Sequence, residues 1–107
     1  MSIYETLKKS KMPCAYSHFK KPQTAPYVVY IGNGQNQSNA DNTIYWRENT
    51  YQVEYYFNKK DEAKESQFEQ TLLDDGWLFD KSEDVYLDEE GIFLIYYYTS
   101  KGANANG

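Results

Sequence analysis

The spacing of apolar positions changes character along the chain and marks out its elements. Ser2-Ile3-Tyr4-Glu5 has the form of a capping box, and Ile3, Tyr4 and Leu7 follow at helical spacing before Pro13, so a short first helix is predicted over about residues 3–10. Cys14–Phe19 permits a short strand, and the two prolines of Lys20–Pro26 predict an extended connection. Tyr27–Ile31, Thr43–Glu48 and Tyr51–Phe57 are rich in β-branched and aromatic residues. The third alternates Tyr51, Val53, Tyr55 and Phe57 against Gln52, Glu54 and Tyr56, the period of a half-buried strand. Asn49-Thr50 predicts a tight hairpin. Gly32–Asn42 holds no large apolar residue and reads as an exposed, mobile loop.

After Asn58 the helix formers of Lys59–Asp75 predict a second helix, with Asn58 as a candidate cap and Gly76 as the stop. Its apolar face is narrow, mainly Phe68 and Leu72, so it should lie across a sheet with its charged side in water. Asp74 and Asp75 at its end oppose the macrodipole. Trp77–Leu87 and Ile92–Thr99 read as two more strands joined at Asp88–Gly91. The tail, residues 101–107, has no apolar anchor and should be disordered. The order defines an α+β fold over residues 1–100, a mostly antiparallel sheet of four to six strands with two helices packed on one side.

Composition narrows the classes. Of 107 residues, twelve are tyrosine, which suits half-buried strands and protein interfaces. No run approaches the ~20 apolar residues of a membrane span, and the start of the chain lacks a secretory signal's apolar core, so a cytoplasmic location is expected. The single cysteine, Cys14, fits a reducing compartment. Charge is split: residues 1–60 carry eight Lys/Arg against four Asp/Glu, +4, and residues 61–107 carry three against twelve, −9. That split disfavours one extended nucleic-acid surface and allows a basic face of one copy to meet an acidic face of the next. Two solvated faces of a monomer would look the same.

Candidate chemistry is sparse. Gly32-Asn33-Gly34 opens like a dinucleotide loop, but position 37 is glutamine and a strand pattern follows, leaving no helix N-terminus for a phosphate. Asn39, Asp41 and Asn42 supply one carboxylate, a poor match to calcium. Cys14 and His18 are the only cysteine and histidine, too few for a stable metal site or an oriented nucleophile. Glu83/Asp84 and Glu89/Glu90 are more simply solvated turn residues than an acid/base pair. Tyr96-Tyr97-Tyr98 with Tyr55-Tyr56 could stack bases, but the flanks are acidic.

Taken in order, Ala15–Lys20, Pro26–Gly34, Ala40–Asn42, Tyr51–Ala63 and Lys81–Tyr98 resemble a family of small phage and prophage proteins encoded among the head and tail structural genes of long-tailed phages of Gram-positive bacteria. The resemblance spans residues 3–99 and points to tail-terminator or tail-completion proteins. It implies an α+β subunit of a homo-oligomeric ring, a hexamer being one closure, at the head–tail junction. Such a subunit is not an enzyme, has no cofactor, metal or catalytic residue, and meets tail-tube and head-connector proteins rather than a membrane or a specific nucleic-acid sequence. Its place would be the host bacterial cytoplasm during assembly and then the virion. A head-completion adaptor is the alternative within the same setting, and a nucleic-acid-binding protein the alternative outside it. The expected contact residues are Asn33, Gln35, Asn36, Asn39 and Asp41 in the polar segment. The expected rim sets Lys8, Lys9, Lys20 and Lys21 of one subunit near Glu83, Asp84, Asp88 and Glu89 of its neighbour.

Overall fold

The computed structural model describes residues 2–40 and 43–104, and for 35–40, 43–48 and 102–104 the backbone alone. Helix α1 spans Ile3–Lys8. The Ser2 hydroxyl accepts from the Glu5 amide at 3.1 Å, and the Glu5 carboxylate accepts from the Ser2 amide at 3.2 Å, satisfying two end donors reciprocally. The helix stops short of residue 10, where the Ser10 hydroxyl bonds the Leu7 carbonyl at 2.6 Å and Lys11 turns to φ 64°.

Strands β1 (Cys14–Tyr16), β2 (Tyr27–Ala40) and β3 (Thr43–Phe57) follow, then α2 (Glu62–Asp74), β4 (Leu78–Lys81), β5 (Val85–Leu87) and β6 (Ile92–Asn104). They form one six-stranded sheet in the order β1-β2-β3-β6-β4, with β5 also on β6. Among the described residues only the β1–β2 pair is parallel. The α+β reading therefore holds. One face of the sheet, carrying Val28, Val53, Tyr55, Phe57, Ile95 and Tyr97, forms a single buried cluster with Ile3, Leu7, Phe68, Leu72 and Trp77 from the helices and the turn after α2. Burial of side chains like Phe68 and Leu72 contributes about 1.5–3 kcal/mol each.

Helix α2 is capped by Asp61, not Asn58; the Asp61 carboxylate accepts from the Lys64 amide at 3.0 Å. Its exit is a Schellman turn, with the Trp77 amide on the Leu72 carbonyl at 2.9 Å and the Gly76 amide on the Leu73 carbonyl at 3.0 Å. Gly76 takes φ 87°, the left-handed conformation the motif requires.

Several expectations are corrected by strand pairing. Gly32–Ala40 is not a loop: it extends β2, with Gln35 opposite Asn49, Asn36 opposite Glu48 and Asn39 opposite Ile44. Asn49-Thr50 is no hairpin but the middle of β3, where Asn49 faces Lys101 and Thr50 faces Ser100 on β6. Between Gly32 and Gln35 the register shifts by one residue, so Asn33 and Gly34 oppose Thr50 alone. Gly34 sits at φ 91° in this bulge, and the Thr50 hydroxyl bonds its carbonyl at 2.7 Å. The tail is a strand through Asn104, with Ala103 opposite Arg47. Residues 105–107, like Asp41 and Asn42, lie outside the described residues. Trp77–Leu87 is two short strands rather than one. A one-residue bulge after Ser82 divides them, where the Ser82 amide bonds the Tyr96 carbonyl at 2.9 Å and the Ser82 hydroxyl accepts from the Tyr96 amide at 2.8 Å.

Candidate assembly surfaces

The strand order separates the charges. β1 lies at one edge of the sheet, with α1 beside it, and β4 with β5 lies at the other. Lys8 belongs to α1, and Lys20 and Lys21 belong to the connection leaving β1. Glu83 and Asp84 sit between β4 and β5, and Asp88 and Glu89 in the turn from β5 to β6. Lys8 and Glu83 thus lie toward opposite edges of one sheet, whereas Lys20 and Lys21 reach over its face toward Tyr56 of β3, and Asp88 and Glu89 sit at the end of the sheet where β6 begins.

Not all of them are available. Lys9 is committed to Asp75 at 2.8 Å, and Asp84 to Lys60 at 3.1 Å. Lys8 lies over the Tyr4 ring at 5.3 Å. Lys20, Lys21, Glu83, Asp88 and Glu89 are exposed and form no ion pair among the described residues.

The connection after β1 folds over the helix-free face. Ser17–Gln23, with Tyr27, Val29 and Tyr56, encloses an open groove of about 400 Å³. Phe19 meets Tyr27 edge-on at 5.5 Å, and Tyr27 stacks on Tyr56 at 4.7 Å. The Tyr56 hydroxyl donates to Glu54 at 2.6 Å. Burial, joined by that bond and by the charge of Glu54, pushes the Tyr56 phenol well above its ordinary range. Lys20 and Lys21 stand at the rim of this aromatic floor, which gives them a place in the fold that the sequence did not show.

The polar contact candidates are arranged as a strand. Asn33 is exposed at the β2 bulge, Gln35, Asn36 and Asn39 lie along β2, and Asp41 lies outside the described residues. β1 covers β2 only as far as Tyr30, so the outer side of β2 from Ile31 onward carries no strand among the described residues.

The tyrosines do not form one platform. Tyr55 and Tyr97 are in the core, while Tyr56, Tyr96 and Tyr98 face the other way. Burial pushes the Tyr55 phenol up to about 12, with Glu65 adding to it. Tyr96 and Tyr98 are parallel, 6.2 Å apart, with Glu54 and Asp80 as register neighbours. Cys14 lies in a strand and packs toward the core, where burial raises its thiol, while His18 is exposed beside Ser17 at 3.2 Å. Their four-residue spacing therefore places them in different surroundings.

Sequence reasoning missed a buried ionic cluster. Glu65 of α2, 3% exposed, is held by Lys60 at 2.8 Å and by Lys81 at 3.1 Å, and Lys81 also meets Glu69 at 2.7 Å. The Tyr97 hydroxyl donates to Glu69 at 2.7 Å. Helical spacing of Glu65 with Phe68 and Leu72 was the available signal that this carboxylate faces the sheet. The cluster fastens α2 to the β4 edge. Among the described residues no helix is long and apolar enough to cross a membrane.

Neither a known protein family nor a curated protein matches this sequence.

Proposed function

We propose that the protein is a virion structural component of the phage head–tail junction, a tail-terminator or tail-completion subunit that assembles into a homo-oligomeric ring. The reading starts from the resemblance of residues 3–99. It is carried by one observation: basic side chains on the β1 side of the sheet and acidic ones on the β4–β5 side, Lys20, Lys21, Glu83, Asp88 and Glu89, form no ion pair among the described residues. Complementary surfaces at opposite ends of a subunit make head-to-tail contacts, and such contacts close into a ring when the rotation permits. The outer side of the long polar extension of β2 offers main-chain groups to a further partner, the tail-tube protein or the head connector. In this reading Asn33, Gln35, Asn36 and Asn39 are contacts of that extension, Asp41 is a further contact outside the described residues, and the protein works in the host bacterial cytoplasm before entering the virion.

Electron microscopy of tubes polymerised from the cognate tail-tube protein, with and without this chain, tests the function. Added protein should place a compact cap at one end of each tube and halt further growth. Tubes that keep bare ends and unchanged lengths would remove the tail-terminator role.

A further inference from the structure

We propose that copies of this chain join by continuing the sheet, β1 of one copy pairing antiparallel with β4 of the next and Ala15 standing opposite Asp80. The inference rests on the ring reading and supplies its contact.

Both strands are open edges, with no strand on their outer sides among the described residues. β1 runs parallel to β2, β2 antiparallel to β3, β3 to β6 and β6 to β4, so β1 and β4 point in opposite directions. A neighbour related by rotation in the plane of the ring therefore presents its β4 antiparallel to β1.

The hydrogen-bond phase fixes the register. Pro13 accepts from the Val28 amide at 2.9 Å and Ser17 donates to the Tyr30 carbonyl at 2.8 Å, so Ala15 between them also faces β2. Cys14 and Tyr16 turn their amides outward. On β4, the Ser82 amide bonds Tyr96, so Asp80 and Leu78 face β6 and Phe79 and Lys81 face outward. Antiparallel pairing then sets Cys14 opposite Lys81 and Tyr16 opposite Phe79 as hydrogen-bonded pairs. Ala15 and Asp80 become the closer, non-hydrogen-bonded pair between them. The Tyr16 carbonyl already accepts from His18 at 2.7 Å, so three main-chain bonds remain for the junction.

The pleat agrees with this register. Cys14 and Tyr16 share the helix-bearing face with their partners Val28 and Tyr30, as Phe79 and Lys81 do with Thr99 and Tyr97. Joined in this way, both copies keep their helices on the same side of the extended sheet, as a ring requires. The three most exposed large apolar side chains among the described residues stand at these two edges: Tyr16 is 57% exposed at one, and Leu78 at 66% and Tyr86 at 52% lie at the other. Charge favours a second copy over a foreign strand, because Lys8 and Lys11 flank β1 while Asp80 and Glu83 flank the bulge after β4. Edges this short restrict casual pairing with other chains.

Within one chain the two edges are four strands apart, about 19 Å, so Ala15 and Asp80 cannot be bridged internally. The variant Cys14→Ala, Ala15→Cys, Asp80→Cys should give, on mild oxidation, a ladder of reducible multimers running up to the closed ring. Each single-cysteine control, Ala15→Cys or Asp80→Cys in Cys14→Ala, should stop at dimer. Hydrogen exchange of the unmodified chain gives a second reading: on assembly, amides of Cys14, Tyr16, Phe79 and Lys81 should slow by about tenfold or more. If the unmodified chain sediments as a ring but the ladder stops at dimers and these amides do not slow, the sheet-continuation contact is wrong and the ring stands. If the unmodified chain sediments only as monomer, both fall.

Discussion

The Thr6 hydroxyl donates to the Asp75 carboxylate at 2.7 Å across 69 residues of sequence, tying α1 to the end of α2. Lys9 completes the site at 2.8 Å from the other carboxylate oxygen. An acidic residue at a helix C-terminus is unfavourable for that helix, and here it has a tertiary use. The bonds from Lys9 and Thr6 hold Asp75 below the ordinary carboxylate range. A depressed folded value means that the contribution is present above the unfolded carboxylate range, near ~3.9, and is lost as pH falls through the folded value. Asp75→Asn should therefore melt at a lower temperature than the parent at pH 6, with the gap narrowing below about pH 4. A gap that is constant from pH 6 to pH 2 would show that the charge is not what matters.

The cluster around Glu65 predicts a larger effect. Lys81→Met removes one of two cations from a buried carboxylate and leaves Glu69 with the Tyr97 hydroxyl but without its ion pair. Loss of a fully buried partner costs about 3–5 kcal/mol, but Lys81 is partly exposed and Lys60 remains, so about 1–3 kcal/mol is expected. Urea unfolding at pH 7 measures it. Lys81→Met combined with Glu65→Gln should recover part of the loss, because the buried side chain left with a single cation is then neutral.

Gly76→Ala tests the exit of α2. At φ 87° a side chain is strained whatever the space around it, and the expected cost is about 1–2 kcal/mol. Thermal melting reads it, and a neutral result would mean that the Schellman turn rearranges.

Much of this architecture was legible because its signals are local. Ser2 with Glu5, the alternation of Tyr51–Phe57, the Gly76 stop and the Asp88–Gly91 turn each depend on neighbours in sequence. The polar extension was not legible. Burial normally writes the two-residue period into a strand, whereas Gly32–Ala40 carries a run of polar residues and is held by main-chain pairing to β3. Asn49-Thr50 has turn-forming chemistry, yet β2 and β6 pair on both sides of it and override that preference. Lys101–Asn104 joins β6 for the same reason, since pairing with β3 needs no apolar anchor. Of the candidate surfaces, the sign of the charge on each half was readable. Which charges are already spent was not: Lys9 and Asp84 find partners 66 and 24 residues away.

That distinction selects which charges to reverse in a test of assembly. Glu83→Lys, Asp88→Lys and Glu89→Lys together reverse acidic side chains that form no ion pair among the described residues, and leave the Asp84–Lys60 bridge in place. Rim charges chiefly steer encounter, so the triple variant should assemble at least about tenfold more slowly while its circular dichroism and melting stay near the parent's. Unchanged assembly would place the contact elsewhere.

Sedimentation velocity of the unmodified chain, over a range of protein concentrations and at salt below and above ~0.15 M, where screening acts within about 8 Å, tests ring formation most directly. One discrete closed oligomer should gain population with concentration and form more slowly at high salt, with no open-ended series of larger species. A chain that stays monomeric to about millimolar concentration, alone and with tail-tube protein, would contradict it.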